Sequence, residues 1–206
     1  MLDTTTRRWI DPTLNRVATG LAYLGLGANA VTVLGFGFGL LSWVALAFTE
    51  YSPALIFIIT NRSLDGLDGA LARKLGSSDL GGYLDITLDF IFYAGVPFFF
   101  AVGRPDLALP AAFLVFSFVG TGSSFLAFAS VAARRGSNMT ASKSKTIHYL
   151  GGLTEGTETI ALFLLICLFP EWFTYLAWGF GGLCWLTTAT RIYTAYQSFR
   201  EHRACP

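Results

Sequence analysis

Residues 51–101 read YSPALIFIITNRSLDGLDGALARKLGSSDLGGYLDITLDFIFYAGVPFFFA. Two apolar runs flank a short loop, Arg73 to Asp79, which carries Arg73 and Lys74. Each run reaches the roughly 20 residues that a helix needs to cross a bilayer. Each also carries acids, Asp65 and Asp68 in the first and Asp85 and Asp89 in the second. Ionisable groups at such depth are costly and mark functional positions. The stretch therefore predicts a membrane hairpin that holds a polar site near one surface.

The rest of the chain extends the pattern. Of 206 residues, 53% are hydrophobic and only 13% charged, with mean hydropathy +0.56. Soluble domains carry about 25% charged residues, so a soluble enzyme, a disordered chain and a nucleic-acid partner are all excluded as expectations. Apolar runs place spans at 28–48, 52–74, 81–101, 107–133, 148–169 and 172–199. The expected fold is an all-α integral membrane protein with six transmembrane helices and an N-terminal interfacial amphipathic helix. It divides into a cytosolic interfacial segment (1–27), a six-span domain (28–200) and a cytosolic tail (201–206). Cys167, Cys184 and Cys205 are too scattered for a zinc pattern or a disulfide framework.

Residues 1–12 are polar and do not resemble a signal peptide. Ile10, Leu14, Val17, Leu21 and Leu24 then share one helical face, while Arg7, Arg8 and Arg16 lie largely off it. Asp11-Pro12 is a natural helix start. The helix either lies in the membrane interface or packs on other protein. Arg73, Lys74, Arg134, Arg135, Lys143, Lys145, Arg200 and Arg203 fall on the same side as this segment, and Arg104 lies opposite. The positive-inside rule puts both termini in the cytosol, and the expected location is a bacterial inner membrane.

Helical spacing gathers the acids. Asp65 and Asp68 stand at i, i+3, and Asp85 and Asp89 at i, i+4, so each pair shares a face. Asp65 and Asp68 lie about 12 and 8 Å of helix rise before Arg73, and Asp85 and Asp89 lie about 6 and 12 Å beyond Gly81. All four therefore reach similar depth. Clustered carboxylates need a counter-charge. Oxygen-only ligands select Mg²⁺, Mn²⁺ or Ca²⁺ over zinc. Gly66, Gly69, Gly81 and Gly82 leave room for a bulky group, for close helix packing, or for both.

On these residues the chain resembles the CDP-alcohol phosphotransferases. Their signature is D-x-x-D-G-x-x-A-R, about eight residues, then G-x-x-x-D-x-x-x-D. Asp65, Asp68, Gly69, Ala72, Arg73, Gly81, Asp85 and Asp89 match its fixed positions in order, with seven residues in place of eight between Arg73 and Gly81. That departure bears on Ser77 and Ser78, not on the aspartates. The resemblance implies transfer of a phosphatidyl or other phospho-alcohol group from a CDP-linked lipid, such as CDP-diacylglycerol, to a small alcohol, with release of CMP. It implies Asp65, Asp68, Asp85 and Asp89 as ligands of two Mg²⁺ or Mn²⁺ ions, and Asp89 also as catalytic base. It assigns Asn29, Thr32, Gly69, Arg73 and Ser78 to the donor nucleotide. Asn29 is equally a candidate helix cap, and Arg73 a snorkelling cation. A homodimer is a further implication, to which the small-residue run Gly35, Gly37, Gly39 adds a route for close helix approach.

The motif leaves the acceptor open. Arg134, Arg135, Lys143 and Lys145 surround a cytosolic loop, where they either bind an acceptor phosphate or merely set orientation. Glu155 and Glu158, at i, i+3, form either an ion-pair network with Arg62 or Arg191 or an acceptor-hydroxyl site. The balance favours a phosphorylated polyol such as glycerol 3-phosphate over serine or a neutral polyol. A different class, an ion-coupled transporter with the aspartates as its cation path, would call for broken helices or repeats, and neither is visible.

Overall fold

The computed structural model describes residues 2–135 and 154–201, with side chains over 12–134 and 154–199. Among them every regular element is helical: α1 (Leu2–Tyr23), α2 (Ala28–Ala47), α3 (Tyr51–Leu75), α4 (Asp79–Gly103), α5 (Ala108–Arg135), α6 (Gly156–Leu168) and α7 (Phe173–Glu201). Short 3-10 turns at Pro105–Leu107 and Pro170–Trp172 precede α5 and α7, each with a proline at its start. Ala28–Ala47, Asp79–Gly103 and Pro105–Arg134 are each long and apolar enough to cross a bilayer. Gly156–Leu168 and Pro170–Phe199 qualify only as a pair, bent by 119°. At 25 residues α3 has the length, but its second half carries Arg62, Asp65, Asp68, Arg73 and Lys74.

Five of the expected spans match α2, α3, α4, α5 and α7 within two residues at each end. The fifth differs. Expected over 148–169, it begins as α6 at Gly156, after an extended Glu155. A reciprocal capping box explains the start: the Glu155 side chain accepts from the backbone N–H three residues on, and Glu158 Oε2 accepts from Glu155 N–H at 3.1 Å. The start of α1 is also corrected, because the helix runs back to Leu2 and Pro12 lies inside it. One proline removes a single i→i−4 bond, and a kinked helix can continue past it.

The apolar face of α1 divides between two surroundings. Leu14, Ala18 and Leu21 pack with Leu67, Ala70 and Leu71 of α3, whereas Val17 and Leu24 are exposed. Lys74 at the end of α3 hydrogen-bonds Thr19 of α1. Packing on protein thus accounts for part of the face.

α2 packs closely on α3 and α4. A Cβ on Gly35 would stand 3.2 Å from Leu64 Cβ, and one on Gly39 would stand 2.9 Å from the Phe92 ring. Asn61 Nδ2 then reaches across to donate to Gly35 O at 2.8 Å. Lipid tails are as apolar as leucine, so burial alone drives little association here, and close fit with interhelical hydrogen bonds must supply it. The expected role of the glycine run in a dimer is corrected for two of its members. Gly35 and Gly39 serve packing within the chain, and only Gly37 has nothing within 4 Å.

Below this contact lies an aromatic core. Trp43 stacks on Phe99 at 5.1 Å, Phe100 on Phe173 at 4.1 Å, and Phe92 meets Phe163 of α6 edge-on at 6.0 Å. Arg104, at the end away from the aspartates, donates to both Asp106 oxygens at 3.0 and 2.9 Å and lies 3.6 Å from Glu171. These hydrogen bonds and the guanidinium charge hold Asp106 below the usual carboxylate range. They also join the turns before α5 and α7, though exposed ion pairs add little stability.

Gly95 is the tightest of these fits, since a Cβ there would fall 2.1 Å from the Trp43 ring. Overpacking a filled site costs about 1–3 kcal/mol. Gly95→Ala should therefore lower the thermal midpoint in detergent, while Gly37→Ala should leave it unchanged or raise it. Equal midpoints for the two variants would contradict this packing.

Candidate active site

The turn between α3 and α4 sets the register of the acids. α3 ends on Gly76, whose φ of +98° suits glycine and few other residues. Ser78 caps α4, its Oγ accepting from Gly81 N–H at 3.0 Å. Arg73 and Lys74 in the last turn of α3, and Asp79 in the first turn of α4, complement the two helix dipoles. The turn brings Asp65 and Asp68 of α3 and Asp85 of α4 to one place.

Three carboxylates converge. Asp65, Asp68 and Asp85 each offer an oxygen, and these oxygens lie within 4.8 Å of one another. Asp68 is 4% exposed, and its Oδ2 is buried with no hydrogen-bond partner. An acceptor buried in that state costs free energy unless a cation or donor occupies the space beside it. Together with the oxygen-only donor set, this fits a hard divalent cation. Thr32 of α2 lines the same cleft, its Oγ1 donating to Ala28 O at 3.1 Å.

Asp89, expected as a fourth ligand, stands outside this trio. Its Oδ1 accepts from Arg62 Nη2 at 2.8 Å, and Arg62 Nη1 lies 3.5 Å from Asp65 Oδ2. Arg62 is thus part of the aspartate site and not of a network with Glu155 and Glu158. The sequence signal was available, because Arg62 precedes Asp65 by three residues and shares its face. All four aspartates line one cleft between α2, α3 and α4, together with Thr32, Phe36, Asn61 and Arg62.

The other expected site residues divide. Arg73 Nη1 lies 3.6 Å from where a Gly69 Cβ would be, so the missing side chain lets the guanidinium lie along α3. Asn29 is not the cap of α2, which is Gly27; its Oδ1 faces Gly81, where a Cβ would come within 2.8 Å. That contact fits Gly81 as the motif glycine, since Gly82 has nothing within 4 Å. Ser78 is engaged as the α4 cap. Arg134 is exposed near the end of α5, and Arg135 follows it in the last turn, while Lys143 and Lys145 lie outside the described residues. Glu155 and Glu158 are engaged in the α6 capping box. Arg191 donates to Thr121 O at 3.1 Å and is close enough to Glu155 to feel its charge. The aspartate trio, Thr32 and Arg62 therefore come together, and the two glutamates form a separate structural unit.

The chain resembles known proteins over much of its length. The chain is 49% identical over 202 residues to the inner membrane protein YnjF of Escherichia coli K12, covering 98% of both chains. It is 38% identical over 91 residues to an archaetidylinositol phosphate synthase of Pyrococcus horikoshii, covering 44% of this chain and 48% of that one. The crystal structure of a Mycobacterium tuberculosis phosphatidylinositol phosphate synthase with CDP-DAG bound shares the fold, with TM-score 0.66 and 21% identity over 89% of this chain and 93% of that one. Residues 26–190 match the CDP-alcohol phosphatidyltransferase family. The chain belongs to that family and is a transferase of substituted phosphate groups.

Proposed function

We propose that this protein moves a phosphatidyl group from CDP-diacylglycerol, or a related CDP-linked lipid, to a small alcohol in phospholipid synthesis, releasing CMP. The observation that carries the reading is the convergence of Asp65, Asp68 and Asp85 within 4.8 Å, with a buried, unsatisfied Asp68 oxygen. Those three residues, with Asp89 in the same cleft, would hold Mg²⁺ or Mn²⁺, two ions by the family resemblance. When bound, such ions stabilise charge on the attacking and leaving oxygens of a phosphoryl transfer.

The chain's own groups do the rest. Arg73, lying against Gly69, is placed for the donor's phosphates, for which a planar guanidinium is well suited. Asn29 and Thr32 stand beside the motif on α2 and bind the donor nucleotide. Asp89 takes the proton of the acceptor hydroxyl. The acceptor oxygen then bonds to the lipid-side phosphorus as that phosphorus releases its bond to the CMP oxygen.

Six spans are the best reading of the helices. α6 is only 13 residues, about 20 Å of rise, and a 119° bend separates it from α7; we read the pair as two spans joined at that turn. Both termini then face the cytosol, with α1 at the interface, in a bacterial inner membrane. The homodimer rests on the family resemblance, and mass measurement in native-like lipid tests it.

For the acceptor, a phosphorylated polyol such as glycerol 3-phosphate is favoured. Arg134 and Arg135 end α5 on the motif's side of the membrane. Glu155 and Glu158, the residues that would have suited an amine or a neutral polyol, are engaged in capping α6. Serine or a neutral polyol is the second reading, and no geometric feature among the described residues favours ion-coupled transport.

The trio and the base are open to direct test. Asp65→Asn, Asp68→Asn, Asp85→Asn and Asp89→Asn should each cut transfer at least about 100-fold, the scale of losing one transition-state contact, and Asp89→Asn should keep donor binding best. Parental activity in any one of them removes that residue from the chemistry. Labelled CDP-diacylglycerol should release CMP only with Mg²⁺ or Mn²⁺ and an acceptor, and chelation should stop it reversibly. In a panel of acceptors, consumption of serine or inositol without glycerol 3-phosphate or inositol phosphate would overturn the acceptor reading.

A further inference from the structure

The first turn of α6 meets the residues beside the aspartate cleft. Tyr93 stands one turn after Asp89 on α4, on the same helical face. Its hydroxyl accepts from Arg62 Nη1 at 3.2 Å, and Arg62 Nη2 donates to Asp89 Oδ1 at 2.8 Å. The same hydroxyl faces Gly156, the exposed first residue of α6. A Cβ on Gly156 would lie 3.7 Å from Tyr93 Oη, with no other atom beyond its own turn within 4 Å among the described residues.

Neither conformation nor packing asks for glycine here. Gly156 does not share the positive φ of Gly25 and Gly76. An approach of 3.7 Å is ordinary contact, whereas a Cβ on Gly39, Gly95 or Gly103 would come within 2.9 Å of a neighbour. Glycine in a helix also carries an entropic penalty that alanine avoids. Openness alone is no signal, because Gly37, Gly82, Gly179 and Gly182 are open too. Gly156 differs in what it faces, a hydroxyl joined through Arg62 to Asp89. The backbone around it is held. Thr154 Oγ1 donates to Thr187 Oγ1 at 3.1 Å, Thr159 Oγ1 donates to Glu155 O at 3.0 Å, and the capping box links Glu155 to Glu158. A side chain added at this position would therefore fill the space beside Tyr93.

We infer that Gly156 is a specificity-determining residue, whose bare Cα leaves room between α6 and Tyr93 for the body of the acceptor while the reacting hydroxyl enters the aspartate cleft. Because Tyr93 Oη accepts from Arg62, its own proton points to a further acceptor of hydrogen bonds. The space thus suits an alcohol that carries a second oxygen, as a polyol or its phosphate does. The inference rests on the transfer reaction proposed above.

The test follows Gly156→Ala and Gly156→Leu, with Gly182→Leu as control, in lipid nanodiscs with Mn²⁺ and CDP-diacylglycerol. Glycerol 3-phosphate, inositol phosphate and serine are offered in turn, and CMP binding with Mn²⁺ is measured separately by calorimetry without acceptor. For the acceptor that the parent consumes, KM should rise at least about threefold in Gly156→Ala and at least about tenfold in Gly156→Leu, the scale on which a pocket senses added methylenes. The KM for CDP-diacylglycerol and the affinity for CMP should stay within about twofold, since only acceptor binding is touched. Gly156→Ala should melt at the parental midpoint or above it, because alanine removes the glycine penalty and meets only ordinary contact. Gly182→Leu should keep the parental acceptor KM. A parental acceptor KM in Gly156→Leu, or in Gly156→Ala if the leucine variant does not fold, would overturn the inference. So would an equal rise in Gly182→Leu. A lowered midpoint in Gly156→Ala, or CMP affinity falling as far as acceptor affinity, would make the glycine a packing requirement and overturn it as well. A parent that consumes none of the three acceptors sinks the acceptor reading and this inference together, whereas parental turnover with unaffected Gly156 variants removes the inference alone.

Discussion

Carboxylates that share a membrane site repel one another, and the rest of this structure is arranged around that repulsion. Two unit charges 4.8 Å apart, the outer limit within the trio, repel by about 3–4 kcal/mol at an effective dielectric of 20. Three such pairs approach the whole stability of a typical domain, about 5–15 kcal/mol. The arrangement is tenable only with positive charge close by. The protein supplies one part in Arg62, fixed between Asp65 and Asp89. In the proposed mechanism, divalent cations at the trio supply the remainder.

That requirement explains features remote from the chemistry. Arg62 can stay buried in α3 because Asn61, Phe92 and Tyr93 enclose it. Asn61 and Phe92 hold their places because Gly35 and Gly39 bring α2 close enough to touch them. The glycines of α2 thus serve the site indirectly, through the packing of the helices that carry it. On the other side of α3, Leu14 of α1 would stand 3.0 Å from a Cβ on Gly66, so the N-terminal helix braces the turn that carries Asp65 and Asp68. The motif glycines Gly69 and Gly81 instead leave space beside Arg73 and Asn29.

Much of this was legible in the sequence, for identifiable reasons. Span limits followed from apolar runs bounded by charges and prolines, which is why α2, α3, α4, α5 and α7 matched closely. The fifth span did not, because Glu155 and Glu158 at i, i+3 suggest an ion-pair face as readily as a capping box, and only the extended backbone at Glu155 separates the two. The meeting of Asp65, Asp68 and Asp85 followed from helical spacing plus one tight turn. The separation of Asp89 did not, because it depends on which carboxylate a neighbouring arginine selects. Arg62 reaches both Asp65 and Asp89 while contacting Asn61 and Tyr93, and that placement is a tertiary fact. The pull of Gly35 and Gly39 into the fold was hidden likewise, since a glycine stripe looks the same whether its partner lies in the same chain or in another.

The central claim is that the aspartate cleft is a divalent-metal centre built on Asp65, Asp68 and Asp85. Anomalous scattering from Mn²⁺ in crystals of the intact protein tests it most directly. The expected result is Mn²⁺ bounded by Asp65, Asp68 and Asp85 in the cleft. No Mn²⁺ at the trio under conditions that support turnover would contradict it.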